Sequence, residues 1–240
     1  MEYSAITDIG LVREKNQDSF VTIENNYGDV LAIVADGIGG GKAGEVASSE
    51  CVSYFNKNFK QSGPFDSLDD AYNYLYSHAV KVNKVVYDKA QENDGYRGMG
   101  TTLTGVLICK HGNIVVNVGD SRVYGLLDNK LYIMTKDDTL INQMIDNGEI
   151  TREEAISHPK KHYLVKAIGI IEKMDPDVHK VKDMDYYLCC SDGLHGMLSN
   201  DEMINIIYSD KTVYEKCEDL KDLALLKGGF DNITAVLVKK

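Results

Sequence analysis

The hydrophobic and polar positions of the first third of the chain change spacing once, from short β-rich segments to a helical repeat. Three segments rich in β-forming residues predict strands. They span residues 2–7, 19–24 and 30–35. The turn residues at 25–29 favour an antiparallel hairpin between the second and third strands. From Ala43 onward the apolar residues recur at helical spacing, which predicts two amphipathic helices on either side of Gly63-Pro64.

The rest of the chain returns to strands and then alternates with helices. Strands are predicted at 101–109, 113–118, 122–127, 130–134, 186–190 and 233–238, and helices at 139–146, 201–208 and 213–226. The four central strands, joined by short turns, are interpreted as a meander. Residues 148–166 are polar and show no sustained period, so they are expected to form a surface flap. Strand runs with inserted helix pairs favour an antiparallel sheet sandwich with helices on its outer faces.

Composition restricts the classes of function. The chain has 240 residues, 43% of them hydrophobic, and no visible linker or repeat, so we expect one ordered domain, 1–240. With 26 Lys and Arg against 37 Asp and Glu, the net charge of −11 disfavours nucleic-acid and membrane-surface binding. The longest uncharged stretch, 98–109, is too short to span a membrane, and no signal peptide is recognisable. Five scattered cysteines are typical of reduced thiols, so a cytoplasmic location is expected.

Four aspartates lie where predicted strands end or begin. They are Asp36, Asp120, Asp192 and Asp231. Each one alone is explained as a turn former. If the strand ends meet at one edge of the sandwich, however, the carboxylates would repel one another unless a cation lies among them. Carboxylates without paired Cys or neighbouring His are hard oxygen donors, which favours Mn²⁺ or Mg²⁺ over Zn²⁺.

Such a site suits the hydrolysis of phosphate esters. Three acids that share two divalent ions would hold a bridging water, lower its pKa and leave room for phosphoryl oxygens. In the polar loop 10–18, Arg13 offers two parallel donors to a phosphate, although a solvated surface arginine is the alternative. Asp18 is a candidate to hydrogen-bond metal waters, and a surface salt bridge or a cap is its alternative.

The order of these motifs resembles the metal-dependent type-2C serine/threonine protein phosphatases in their compact bacterial form. The motifs cover nearly the whole chain, in the family's order. They are Arg13 with Asn16-Gln17-Asp18, Val34 to Gly40, Gly98 to Thr102, Val118 to Arg122, Ser191 to Leu194, and Asp231 to Thr234. The resemblance implies an α+β fold, a four-layer α-β-β-α sandwich with two central antiparallel sheets and the active site at one edge.

The resemblance also implies a role for each matching residue. Asp36 would bridge two Mn²⁺ or Mg²⁺ ions, the carbonyl of Gly37 would bind one of them, and Asp192 and Asp231 would complete the pair. Asp18 would act through water.

Further roles concern the substrate and a third ion. Asp120 matches the acid that helps hold a weaker third ion together with Asp192 and a flap carbonyl. Arg13 matches the phosphate-binding arginine. Residues 137–166 match the flap that varies in substrate selection.

Two positions depart from the pattern of some relatives. Ile38 stands where some members, notably eukaryotic ones, carry a histidine that can protonate the leaving group, and isoleucine cannot donate a proton. The proton would then come from a metal-bound water, on the third ion near Asp120, or from the flap. Gln17 replaces the glutamate of other relatives and removes one negative charge.

The expected activity is hydrolysis of phosphoserine and phosphothreonine in proteins by direct attack of the metal-bridging water, without a phosphoenzyme. A Ser/Thr protein kinase would supply substrates and act as a partner, and the enzyme is expected to be a monomer. The alternative is a non-catalytic relative that serves as a regulatory or binding module. A module would have no reason to keep Arg13, Asp36, Asp192 and Asp231 together.

The segment Gly39 to Gly44 fits the pattern G-x-G-x-x-G, so nucleotide binding has to be considered. A dinucleotide site needs a parallel second strand that ends in an acid about 20 residues later, and here a second helix follows the first. A phosphate-binding P-loop fails as well, because Ala43 stands where Ser or Thr is required. The glycines are instead expected to let the backbone pass close to the metals and the substrate phosphate.

Overall fold

A computed structural model describes residues 1–38, 43–160 and 162–240. Its strands are β1 (Glu2–Asp8), β2 (Asp18–Glu24), β3 (Val30–Ile38), β4 (Gly100–Thr101), β5 (Leu103–Cys109), β6 (Gly112–Val118), β7 (Arg122–Leu127), β8 (Lys130–Ile133), β9 (Asp177–Val181), β10 (Tyr186–Cys190) and β11 (Ile233–Lys239). Its helices are α1 (Gly44–Lys60), α2 (Leu68–Glu92), α3 (Leu140–Asp146), α4 (Arg152–Ile156), α5 (Asp192–His195), α6 (Asn200–Ile207) and α7 (Val213–Leu226), with a 3-10 turn at Asp94–Tyr96. Most of the Gly39–Gly44 motif therefore lies outside the described residues.

The strands form two antiparallel sheets. The first has the order β1-β11-β10-β7-β8, and the second has the order β2-β3-β5-β6-β9, with β4 beside β3. The predicted hairpin of β2 and β3 is present, with Asp18 opposite Asp36 and Glu24 opposite Val30. Strand β3 runs on through Asp36 and Gly37, three residues beyond the predicted end at residue 35.

Three apolar layers hold four layers of secondary structure together. Between the sheets, Val34 and Val106 of the second sheet pack with Tyr187 and Val236 of the first. Helices α1 and α2 cover the outer face of the second sheet, and α5, α6 and α7 cover the outer face of the first. Fully burying a side chain such as Phe55 of α1 stabilises the fold by about 1.5–3 kcal/mol. The expected four-layer α-β-β-α sandwich is confirmed.

Helix starts follow from capping residues. The Ser67 side chain accepts a hydrogen bond from the Asp70 backbone N–H at the start of α2, and a capping box of Thr212 and Glu215 begins α7. The flap also contains regular structure, since Thr151 and Glu154 form a capping box that begins α4. This short helix was not predicted from the sequence, because five residues are too few to show a helical period.

The predicted meander was wrong at one point. Strand β5 pairs with β6 in the second sheet and β7 pairs with β8 in the first, so the chain changes sheets between β6 and β7. Gly119 makes this crossing with φ +106, a conformation that favours glycine. The crossing leaves Asp120 at the edge where the sheets meet. Edge strand β9, which pairs with β6 alone among the described strands, was not predicted.

Two further observations concern the cysteines and the helices. All five cysteines are free and buried, as expected of reduced thiols. Among the residues that the structure describes, no helix is both long and apolar enough to cross a membrane.

His78 generates a prediction about stability. Its Nδ1 lies 3.0 Å from the Tyr54 hydroxyl and its ring stacks on Tyr74 with centroids 4.1 Å apart. Burial, and then the charge of Lys81, lower its pKa from 6.5 to about 4. Between pH 6.5 and about 4, the unfolded chain therefore binds a proton at His78 that the folded protein does not bind. The free energy of unfolding consequently decreases as the pH falls through this range.

Substitution His78→Gln should thus destabilise the protein more at pH 7 than at pH 5. Urea unfolding of both proteins at pH 7, 6 and 5 measures the difference, which should shrink on acidification. A difference that stays constant over this range would contradict the assignment.

Candidate active site

The predicted site residues come from five segments at one edge of the sandwich. Asp18 and Asp36 are paired across β2 and β3, so their side chains lie on the same face, with Cβ atoms about 4.5–5.5 Å apart. Asp120 lies in the crossing turn, Asp192 is the first residue of α5, and Asp231 precedes β11. Strand ends from both sheets therefore contribute carboxylates to one place.

The backbone of Asp36 is held on both sides by two threonines. Its N–H donates to Thr102 Oγ1 at 2.9 Å, and its carbonyl accepts from Thr102 N at 2.8 Å and from Thr101 Oγ1 at 2.9 Å. Thr102 Oγ1 also lies 2.8 Å from Ser121 Oγ, beside Asp120. These bonds position the Asp36 carboxylate without using its oxygens.

Gly37 lies where two backbone segments approach each other. A Cβ at this position would lie 2.2 Å from the carbonyl oxygen of Gly44 and 2.7 Å from that of Gln17. The Gly37 N–H donates to the Gln17 carbonyl at 3.0 Å. Only glycine fits this crossing, which brings the start of α1 against the end of β3.

Asp18 receives one hydrogen bond from a buried serine. Ser191 Oγ donates to Asp18 Oδ2 at 2.7 Å and accepts from the Thr234 backbone N–H at 3.0 Å. The other oxygen, Asp18 Oδ1, is buried and has no hydrogen-bond partner among the described residues.

Arg13 forms an ion pair with Asp231. Its Nη2 donates to Asp231 Oδ2 at 2.6 Å, and the guanidinium remains half exposed at the rim of the site. This hydrogen bond, and then the charges of Asp231, Asp192 and Asp36, raise the pKa of Arg13 against the effect of burial. The charge of Arg13 therefore interacts with the three carboxylates that are predicted to bind the two metal ions.

The flap begins and ends next to Asp120. Asp138 accepts from the Gly119 N–H at 3.0 Å and lies 3.4 Å from Lys166 Nζ at the other end of the flap. Arg122 donates to both oxygens of Asp137, at 2.8 and 2.7 Å. Such a bidentate pair fixes orientation as well as distance, so the base of the flap is anchored to the crossing turn.

The electrostatics of the cluster are those of crowded, desolvated acids. Burial, and then the charges of the neighbouring aspartates, raise the pKa of Asp36 well above its usual value. Burial is also the largest cause that raises the pKa of Asp18 and of Asp120 to about 7, and it raises that of Asp192. The carboxylates are therefore close enough to oppose one another's ionisation.

The residues fit divalent cations with a preference for oxygen. Asp192 Oδ1, like Asp18 Oδ1, is buried without a hydrogen-bond partner among the described residues, and an unpaired buried acceptor is costly. A hard cation would bind these two unpaired oxygens and would offset the repulsion between the carboxylates. No three described acidic, histidine or cysteine side chains converge closely enough to define a metal centre on their own. Asp231 is directed at Arg13 instead.

Several positioning residues were not singled out from the sequence. Asn232 donates to the carbonyls of Ile9 and Lys15 and accepts from the Gln17 N–H, each at 2.9 Å, so it fastens the Arg13 loop to the start of β11. Ser191 and Thr102 hold Asp18 and Asp36. Their motifs were recognised, but their bonds join segments far apart in the chain.

Comparisons with known proteins identify the family. The family model of protein phosphatase 2C matches residues 12–221. The chain belongs to the protein phosphatase 2C family. A putative protein phosphatase 2C-type from Streptococcus pyogenes is 37% identical over 99% of this chain and 97% of its own length. A serine/threonine phosphatase from Listeria welshimeri is 36% identical over 98% of this chain and 94% of its own.

Solved structures agree with this assignment. The serine/threonine phosphatase of Staphylococcus aureus superposes with a TM-score of 0.92 at 32% identity, over 100% of this chain and 94% of that one. The serine/threonine phosphatase of S. agalactiae superposes with a TM-score of 0.91 at 36% sequence identity. The match covers 100% of this chain and 99% of that one. The resemblance stated from the motifs is confirmed, and the chain is a protein phosphatase 2C-type enzyme. Phosphatases of this family generally depend on Mn²⁺ or Mg²⁺.

The crowding of the acids generates a prediction for the phosphatase without metal. Substitution Asp192→Asn removes one of the repelling charges, so it should raise the free energy of unfolding in EDTA by about 0.5–2 kcal/mol. It should also abolish the stabilisation by Mn²⁺. For the unaltered protein this stabilisation is about 2.7 kcal/mol when the free Mn²⁺ concentration is 100 times the dissociation constant. Urea denaturation with and without Mn²⁺ measures both effects.

Asp201→Asn is the matched control, because Asp201 is an exposed acid in the first turn of α6. It should keep the stabilisation by Mn²⁺. An Asp192→Asn protein that is less stable in EDTA and still stabilised by Mn²⁺ would contradict the account.

Proposed function

We propose that the protein removes phosphate from phosphoserine and phosphothreonine in proteins, with Arg13 as the group that binds the phosphate. The observation that supports the proposal is electrostatic: the charges of Asp192 and Asp231 act on Asp36, and those of all three carboxylates act on an arginine at the rim of the site. An arginine binds a phosphomonoester dianion through parallel donors. Acids that repel one another provide a binding site for divalent cations.

The assignment of ligands follows the family pattern position by position. Asp36 would contribute to both of two Mn²⁺ or Mg²⁺ ions, the Gly37 carbonyl to one of them, and Asp192 and Asp231 would complete the pair. Asp18, fixed by Ser191, would act through water. When bound, the ions would supply a bridging water of lowered pKa that attacks phosphorus directly, without a phosphoenzyme.

Asp120 is proposed to share a weaker third ion with Asp192. It lies in the crossing turn to which the flap is anchored, which supports a role for residues 137–166 beside the reacting phosphate. Ile38 cannot donate a proton, so the leaving group would take its proton from a water held by the third ion near Asp120, or from a group of the flap.

The protein's own residues would bind and orient the substrate. Arg13 is half exposed, so its guanidinium can turn from Asp231 to the phosphoryl oxygens. Asn232 holds the Arg13 loop in place, and Thr101 and Thr102 fix the Asp36 backbone. These bonds keep the phosphate and the carboxylates at a constant separation, which lowers the entropic cost of reaction.

Residues 1–240 are proposed to act as one catalytic domain, because both sheets contribute carboxylates to the site. We further propose that the enzyme is a cytoplasmic monomer and that a Ser/Thr protein kinase is among its partners. A non-catalytic binding module is the competing proposal. It is disfavoured because a module gains nothing from buried acids that oppose one another's ionisation.

The direct test is phosphate release from a phosphothreonine peptide. The unaltered protein with Mn²⁺ should release phosphate, and EDTA or Asp192→Asn should reduce the rate at least about 100-fold, since the bound ions and their water carry much of the barrier reduction. Asp201→Asn should retain the rate. Turnover that survives both EDTA and Asp192→Asn would overturn the mechanism, and no turnover by the unaltered protein would favour the binding module.

The assignment of Arg13 generates a separate prediction. A hydrogen bond to a charged group contributes about 1.5–3 kcal/mol, so Arg13→Ala should lower kcat/KM on the peptide roughly 10- to 150-fold, with much of the loss in KM. The matched control is Lys15→Ala, because Lys15 lies in the same loop and pairs with Glu45, 2.7 Å away. Equal losses in both variants would show that the effect is general electrostatics and not a specific phosphate contact.

A further inference from the structure

Four exposed apolar side chains lie in the segments that carry Arg13 and Asp231, or at the helix end that leads into one of these segments. Leu11 is 68% exposed, Val12 61%, Leu226 82% and Phe230 60%. A single exposed apolar residue is ordinary, but a group beside a functional site indicates a contact surface. These four residues, called the apolar rim below, come from the β1–β2 loop, the end of α7 and the segment before β11.

The loops that carry the apolar rim are fastened to each other. The Leu11 N–H donates to the Gly229 carbonyl at 2.8 Å. A Cβ added to Gly229 would lie 3.1 Å from Leu11 Cγ, and one added to Gly228 would lie 2.6 Å from the Phe230 ring. Leu11 and Phe230 therefore lie against neighbouring glycines of the same turn.

The apolar rim is also tied directly to the groups of the candidate site. A Cβ on Gly10, which has φ +78, would lie 2.3 Å from the Asp231 carbonyl oxygen, so the two loops touch through their backbones. Val12 precedes Arg13 in the chain and Phe230 precedes Asp231. The ion pair of Arg13 and Asp231, with Nη2 and Oδ2 2.6 Å apart, joins the loops a second time.

This position determines what can occupy the apolar rim. A phosphorylated side chain bound at Arg13 brings its own backbone to the mouth of the site, and each further residue of an extended chain lies about 3.3–3.6 Å away. The residues that flank the phosphorylated position would therefore come within reach of the two loops that carry Leu11, Val12 and Phe230. The net charge of −11 alone would favour basic flanking residues, but the surface at this point is apolar.

We propose that the apolar rim is a substrate-docking surface that selects phosphoserine or phosphothreonine flanked by large apolar side chains in an extended, accessible segment of the substrate protein. The inference rests on the proposed phosphatase function and adds the class of substrate sequence. Apolar flanking side chains gain affinity here by burying surface against Leu11 and Phe230.

The test compares two phosphothreonine peptides that differ only in their flanking residues, Leu, Val and Phe in one and Ser and Gly in the other. With Mn²⁺ present, the unaltered protein should hydrolyse the apolar peptide with at least about a tenfold higher kcat/KM, through a lower KM. In the double variant with Leu11→Ser and Phe230→Ser, the ratio between the peptides should fall to less than about threefold.

Two further variants separate docking from general disturbance. Leu11→Met keeps an apolar side chain and should keep the preference. Ile133→Ser removes a comparably exposed apolar residue from β8 and should leave the ratio and the rate unchanged.

Each outcome decides the proposal. Turnover of both peptides by the unaltered protein without a preference would overturn the docking surface and leave the phosphatase function standing. A preference that persists in the double variant would also overturn it. Failure of the unaltered protein to hydrolyse either peptide would overturn the proposed function, and this inference with it.

Discussion

The mutual repulsion of buried carboxylates is the constraint on which the rest of the molecule depends. Asp18, Asp36, Asp120 and Asp192 each have a pKa raised by burial and by neighbouring acids, and two of their oxygens have no partner among the described residues. Such a group costs stability unless positive charge is placed within it. Arg13 supplies one fixed charge at the rim, where it pairs with Asp231. Divalent cations would supply the rest, and the same positive charge would attract a phosphate dianion.

The fold withstands this repulsion because the acids are attached to rigid elements with large apolar layers on either side. Asp36 lies near the end of a strand between two apolar cores, and its neighbours Ala35 and Val34 are fully buried in opposite cores. Glycine at position 37 permits a backbone crossing that no side chain would allow, and Gly119 permits the chain to change sheets beside Asp120. The bonds of Thr102, Ser191 and Asn232 then connect the segments. Packing thus stabilises an arrangement that electrostatics alone would separate.

The elements with a clear period or a turn signal could be predicted from the sequence. The β2–β3 hairpin follows from residues 25–29, and α1 and α2 follow from their apolar spacing. The crossing at Gly119 could not be predicted, because a glycine turn between two strands is equally compatible with a hairpin in one sheet. Strand β9 is short and at an edge, so it has little pattern to detect. The candidate acids were found through their common place at strand ends, whereas Ser191 and Asn232 act through contacts between distant segments, which one sequence does not show.

The family pattern selects Asp36, Asp192 and Asp231 by their positions, and the structure buries the first two of them among carboxylates that repel one another. The proposed mechanism requires that Asp36, Asp192 and Asp231 share two divalent ions. Anomalous diffraction from crystals soaked in Mn²⁺ tests it most directly. Two strong peaks are expected within coordinating distance of these three carboxylates. Peaks found only elsewhere on the surface, or the three side chains too far apart to share a ligand in the metal-soaked crystal, would contradict it.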